Sequence, residues 1–134
     1  MERTPEDAVR VGEAFVEALG RRDFLRLEAL FDAHVRFQAL VPPGLRTAED
    51  ATAAAAHPRR WFGDADRFDL VASTVGRIGP RLRLSYRIRL REEGVWYAVE
   101  QQAYLDVGGD FIRSVEILCS GFVRESDGPE GPES

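Results

Sequence analysis

The sequence predicts an α+β domain in which helices from the first half pack on one side of a mainly antiparallel sheet made by the second half. Three observations carry this. Apolar residues recur at helical spacing in two segments near the N-terminus: Ala8, Val11, Phe15, Ala18 and Leu19, then Phe24, Leu27, Leu30 and Phe31. From residue 67 onward the pattern changes to long runs of period two, separated by turn residues. Helices that precede the strands, rather than alternating with them, leave the sheet with one helix-covered face.

The elements follow in order. Thr4-Pro5-Glu6-Asp7 opens the first helix, with Thr4 as N-cap, Pro5 at the first helical position and Asp7 where a capping-box acid belongs. Gly20 closes it, and Asp23 caps a shorter second helix. Val35–Val41 reads as a first strand, closed by Pro42-Pro43-Gly44. Thr47-Ala48-Glu49-Asp50 is a second cap signature before an alanine-rich helix, which Pro58 is expected to interrupt, leaving Trp61 and Phe62 beyond the break. Strands are then expected at 67–78, 81–90, 95–107 and 111–123, with turns at Gly79-Pro80, Glu92-Glu93-Gly94 and Gly108-Gly109-Asp110. In the second of these, Leu82, Leu84, Tyr86, Ile88 and Leu90 alternate with Arg81, Arg83, Ser85, Arg87 and Arg89, so one face is buried and the other is a row of arginines.

The chain of 134 residues is long enough for one core without metal or disulfide staples, and the single cysteine, Cys119, excludes an intrachain disulfide. Residues 1–124 read as one domain. The last ten, ESDGPEGPES, carry four acids and no large apolar residue, so 125–134 read as a disordered acidic tail. Without them the net charge of −5 falls to −1. That nearly neutral body argues against a nucleic-acid partner. No apolar run reaches the roughly 20 residues of a membrane span. MERTPEDAV shows no basic region followed by an apolar stretch, so a cytoplasmic location is expected.

Two stretches carry a family resemblance: TPEDAVRVGEAFVEALGRRDFLRLEALFDAHVRFQAL at 4–40 and AYLDVGGDFIRSVEILCSGF at 103–122. In element order the chain resembles the nuclear transport factor 2-like (NTF2-like) superfamily, and within it the steroid Δ-isomerases and SnoaL-like polyketide cyclases. The resemblance implies a cone: three N-terminal helices on a strongly curved sheet, with an apolar pocket between them. It also implies three isomerase positions. The oxyanion-donating tyrosine falls on Phe15, the general-base aspartate on Ala39 and the protonated aspartate on Gln102, so that mechanism is not retained. The Asp-Arg-Asp set of the related limonene-epoxide hydrolases cannot be placed on the inward faces.

Taking Gln102 as inward, period two brings Trp96, Ala98, Glu100 and Tyr104 inward with it, and Ala39 brings Phe37 and Val35. Val115, Ile117 and Cys119 point inward from the last strand. Glu100 is then either a carboxylate tuned by desolvation for acid–base work or a group at the open end, solvated or paired with arginine. Gln102 either orients a ligand carbonyl or is a satisfied sheet glutamine. Phe15, Phe37, Trp61, Tyr86 and Tyr104 shape the cavity, with Cys119 as a small hydrophobe of its wall. His57 is a proton shuttle near the mouth or a surface histidine, and His34 a loop residue. No metal site or cofactor is expected.

The functional expectation is a protein that binds a mainly apolar small molecule, with two versions: a cofactor-free cyclase or isomerase using Glu100 and Gln102, or a non-catalytic binding or dimeric interaction module. A homodimer is expected through the convex sheet face, using the row Val95, Tyr97, Val99, Gln101 and Ala103, which is too apolar to be left to water.

Overall fold

The computed structural model describes residues 5–125, so Thr4 and residues 126–134 of the expected tail lie outside the described residues. Helix α1 spans Pro5–Gly20 and α2 Phe24–Leu30; the strand β1 is Phe31–Val41 and β2 Gly44–Ala48. Helix α3 is Ala51–Phe62, followed by β3 Arg67–Ile78, β4 Arg81–Glu92, β5 Val95–Gly108, β6 Phe111–Cys119 and a two-residue β7, Val123–Arg124. The architecture is α+β. The sheet is mixed, in the order β2-β1-β6-β5-β4-β3, with β7 paired to β5. Among the described residues only β1 and β6 run parallel; every other pairing is antiparallel. No helix among the described residues is long and apolar enough to cross a membrane.

Local chemistry accounts for the helix boundaries. Asp23 accepts from Arg26 N–H and caps α2, and Asp50 does the same for α3 through Ala53 N–H at 2.7 Å. Two sequence expectations are corrected here. Phe31 opens β1 instead of continuing the stripe of α2, because its extended backbone (φ −84°, ψ 142°) ends that helix. Helix α3 runs through Pro58 without a break. The proline has no N–H to offer the preceding turn, but Ala54, Ala55, Pro58 and Phe62 form one buried stripe that holds the turn in place. Trp61 and Phe62 therefore belong to the last turn of α3.

Between α1 and α2, Arg22 takes a left-handed backbone (φ 53°). Its guanidinium donates to Phe62 O at 3.0 Å and Ala65 O at 2.7 Å and lies 5.1 Å from the centroid of the Phe68 ring. The Arg-Arg-Asp turn thus caps the carbonyl end of α3 and ties the helical hairpin to it.

The helix-facing side of the sheet is the core. Phe37 and Ala39 of β1, Leu82 to Leu90 at alternate positions of β4, and Val115 and Ile117 of β6 are all buried there. On β5 the buried row is Val99, Gln101, Ala103 and Leu105, which is the row expected to be external. Trp96, Glu100, Gln102 and Tyr104 face the opposite side. The cause is the β4–β5 hairpin. Glu93 and Gly94 both take positive φ (52° and 80°), giving a two-residue turn that pairs Glu92 with Val95. Tyr86 then opposes Gln101 and Leu84 opposes Ala103. Directly opposed residues share a face, so the buried row of β4 fixes the buried row of β5. Val99, Gln101 and Ala103 of the row expected as a dimer face are therefore core, while Val95 and Tyr97 are half-buried.

The other face of the sheet carries the arginine row in ion pairs: Arg81 with Asp106 and Glu116, Arg87 with Glu100, and Arg91 with Asp66. Arg89 reaches Glu125 at 3.0 Å, and the Glu125 N–H donates to Trp96 O. Glu125, which the sequence assigns to the tail, is thus attached to the sheet. His34 lies within β1, not in a loop.

Candidate functional site

Three segments surround a cavity of about 460 Å³ at one end of the helix-facing side of the sheet: Val41, Pro42, Pro43 and Arg46 of the β1–β2 hairpin, Arg60 and Trp61 of α3, and Cys119 to Phe122 after β6. Each has a local reason to be there. The double proline ends β1 and supplies a rigid apolar wall. Gly121 adopts φ 83°, and a Cβ on it would lie 2.5 Å from Pro42 Cγ, so only glycine lets the two segments meet. Its N–H is directed at Cys119 Sγ, 3.3 Å away. Phe122 stacks on buried Phe62 with centroids 6.0 Å apart, which anchors the segment to α3.

His57 supports the rim from behind. Its Nε2 is 3.1 Å from the Thr47 carbonyl, which accepts only, so Nε2 carries the proton and donates. Nδ1 is then the acceptor for Arg60 Nη1 at 3.4 Å. The ring stacks on Phe37, 5.3 Å between centroids, and Phe37 also packs against Trp61. His57 therefore positions Arg60 and is not a shuttle open to the cavity.

Behind Cys119 lies a buried polar pair. Tyr86 donates its hydroxyl to Gln101 Oε1 at 2.6 Å, and Gln101 is paired in register with Cys119. Burial raises the Tyr86 phenol far above its ordinary value, with Cys119 adding to the shift, so Tyr86 remains a neutral donor. Gln101 Nε2 is buried with no hydrogen-bond partner among the described residues. This is an unused donor of the kind that a ligand carbonyl or a water satisfies, and Gln101 lines a hollow of about 680 Å³ and not the 460 Å³ cavity.

The expected site residues divide into two groups. Phe15, Phe37, Trp61, Tyr86 and Cys119 do lie on the helix-facing side. Phe15 packs on Tyr86 at 6.4 Å, but Phe15, Phe37 and Tyr86 are closed into the core at 3% exposure or less. Only Trp61 and Cys119 reach the cavity. Glu100, Gln102 and Tyr104 are on the other face: Glu100 is bound by Arg87, and Gln102 Nε2 donates to the Tyr104 hydroxyl at 3.0 Å. Glu100 therefore sits in a solvated pair, not on an apolar wall. This second hollow, of about 680 Å³, is lined by Glu100 and Gln102 together with Tyr86, Cys119, Gln101 and Arg87, so four of the expected site residues meet there. The sequence assigns Gln101 to the external row, and it gives Arg46, Arg60 and Phe122 no role. Gln101 was accessible to it, through the hairpin register; Arg46 and Arg60 carry no local signal.

No group of three or more His, Cys, Asp or Glu that could hold a metal ion occurs among the described residues. The titratable groups of the cavity wall are Cys119, Arg46 and Arg60.

No protein-family model matches the chain, and no curated protein does. Solved structures do. A ketosteroid isomerase-like-fold protein from Catenulispora acidiphila, solved with trimethylamine, is 18% identical over 86% of this chain and 85% of its own, with a TM-score of 0.68. An NTF2-like protein from Burkholderia xenovorans is 15% identical over 87% and 92%, also at 0.68. A candidate polyketide cyclase from Xanthomonas campestris is 22% identical over 84% and 90%, again at 0.68. At these identities the likeness is one of fold, and it agrees with the element order and the sheet order seen here: the chain has the NTF2-like fold.

Proposed function

We propose that the chain is a small-molecule-binding protein that takes a mainly apolar ligand into the cavity between the β1–β2 hairpin, the end of α3 and Cys119 to Phe122. One observation carries the reading. The wall is Trp61, Phe122, Val41 and two prolines, and its only charged groups are arginines, which do not exchange protons near neutral pH. A volume of about 460 Å³ is within the ordinary range for such ligands. With Glu100 on the far face and Tyr86 held neutral, the acid–base version loses its base, and binding without chemistry is favoured. Native mass spectrometry of the purified protein tests this. A retained small molecule, lost in Trp61→Ala while the fold persists, is the expected result. A wild-type protein that retains nothing and binds no hydrophobic probe would overturn it.

A second surface supports self-association. Leu40, Leu45 and Leu118 are each more than half exposed and adjacent in register on the outer face of β2, β1 and β6. Gln38, Gln102, Tyr104 and Glu116 surround them. An apolar centre with a polar rim is complementary to itself about a two-fold axis. The homodimer through the sheet face is therefore retained as a proposal, on this patch.

A further inference from the structure

We infer that the ligand of this cavity is an amphipathic oxyanion: an apolar ring system or chain ending in a carboxylate or phosphate held by Arg46 and Arg60. The inference rests on the ligand-binding reading above and adds the chemical class.

Arg46 is the first observation. It pairs with Ala39 across β1 and β2, and Ala39 is fully buried on the helix-facing side. Arg46 therefore rises from the face where packing alone would place an apolar residue, as Ala48 does two positions on. Its one hydrogen bond among the described residues is a 3.5 Å contact to the Leu45 carbonyl, and it takes part in no ion pair there. Arg46 is partly exposed, so its guanidinium is solvated and open to a ligand anion.

Arg60 is the second. Basic residues in the last turn of a helix favour its carbonyl end, and Arg59 and Arg60 both occupy that turn. Arg59 turns away, to lie over Phe24. Arg60 lines the cavity, is anchored by a single contact to His57 Nδ1, and leaves most of its guanidinium donors unused. It too has no ion pair among the described residues.

Among the described residues the cavity wall contains no carboxylate to compensate either charge. Two guanidinium groups without an ion pair among the described residues thus share one wall with Trp61 and Phe122. Guanidinium groups bind carboxylate and phosphate oxygens in forked geometry, and the aromatic side chains take the body.

Isothermal titration calorimetry with naphthoate, naphthyl phosphate and naphthamide tests this. At least one of the two anions is expected to bind about tenfold or more tightly than the neutral amide, with the advantage shrinking as salt rises. Whichever anion leads identifies the group. Arg46→Gln and Arg60→Gln should each reduce that advantage, and the double variant should abolish it. Arg10→Gln, on the exposed face of α1, should leave it intact. The salt series on the wild type keeps the test decisive should an arginine variant unfold. If all three probes bind alike and Trp61→Ala weakens all three, the oxyanion inference falls and the ligand-binding reading stands. If the preference survives in the double arginine variant, the inference falls as well. If no probe binds the wild type, both fall.

Discussion

Tyr86 and Gln101 are joined across β4 and β5 by a buried hydrogen bond of 2.6 Å, and the amide nitrogen of the same glutamine has no partner among the described residues. A half-satisfied pair of this kind makes a sharp energetic prediction. Gln101→Leu alone leaves the Tyr86 hydroxyl stranded and should cost about 1–3 kcal/mol. Adding Tyr86→Phe removes the stranded group and should recover much of that loss. Urea denaturation of the two single variants and the double variant gives the cycle. A double variant as unstable as the sum of the singles would mean that the two side chains act independently.

The Arg22 cap should be separable into side chain and backbone. Arg22→Ala deletes the bonds to Phe62 O and Ala65 O and should lose about 2 kcal/mol. Arg22→Gly loses the same bonds but relieves the left-handed backbone, so it should be the more stable of the two by about 1 kcal/mol. Thermal melts of both variants check the order.

Gly121 controls the cavity wall. Gly121→Ala combines an unfavourable φ with a Cβ pressed against Pro42, and should cost about 2–4 kcal/mol. Because the clash is at the wall, naphthoate binding should weaken even at a temperature where the variant is still folded, as read by calorimetry beside circular dichroism.

Asp66 makes a testable pH dependence. Its hydrogen bonds from Arg91 hold the carboxyl below its ordinary value of 3.8. A depressed folded-state pKa means that the contribution is present above the ordinary value and is lost as pH falls through the lowered one. The gap in melting temperature between wild type and Asp66→Asn should therefore be constant around neutrality and narrow in acid. The pair is exposed, so the gap should be small and should shrink in salt. A gap that widens in acid would contradict the assignment.

Self-association through the outer leucines predicts that Leu118→Glu converts a dimer to a monomer with its melting behaviour otherwise intact. Sedimentation equilibrium on wild type and variant at micromolar concentration reads it. A wild type that is monomeric there would remove the proposal.

The fold was legible because each element has a strong local cause: the aspartate caps at Asp23 and Asp50, the alternation of β4, the glycine turns. The site was less so. The resemblance sets Gln102 on the inward face of β5, while the apolar residues of the strand themselves point the other way. Val99, Ala103 and Leu105 form an apolar row, and a two-residue Glu93-Gly94 turn would have paired them with the apolar row of β4. In a strand a shift of one residue exchanges the faces, and here it moved Glu100 from an apolar wall to a surface ion pair. Arg46 was hidden for a different reason. The edge strand β2 is five residues long, too short to show a period, and the side on which Arg46 lies depends on its pairing with β1.

The parallel pairing of β1 with β6 also bears on the order in which the molecule assembles. Strands β3 to β6 are joined by tight turns and can zip as successive hairpins, whereas β1 must find β6 from far away along the chain. Closing so long a loop is the slow part of building such a topology. The cavity is walled from both sides of that closure, by Val41 and Pro42 on one segment and Cys119 to Phe122 on the other. It is complete only when that pairing is in place, and it opens when the seam between β1 and β6 opens. A bound ligand would therefore act as a clasp across the seam, and amide hydrogens of β1 and β6 should exchange more slowly in its presence than those of the β3–β4 hairpin.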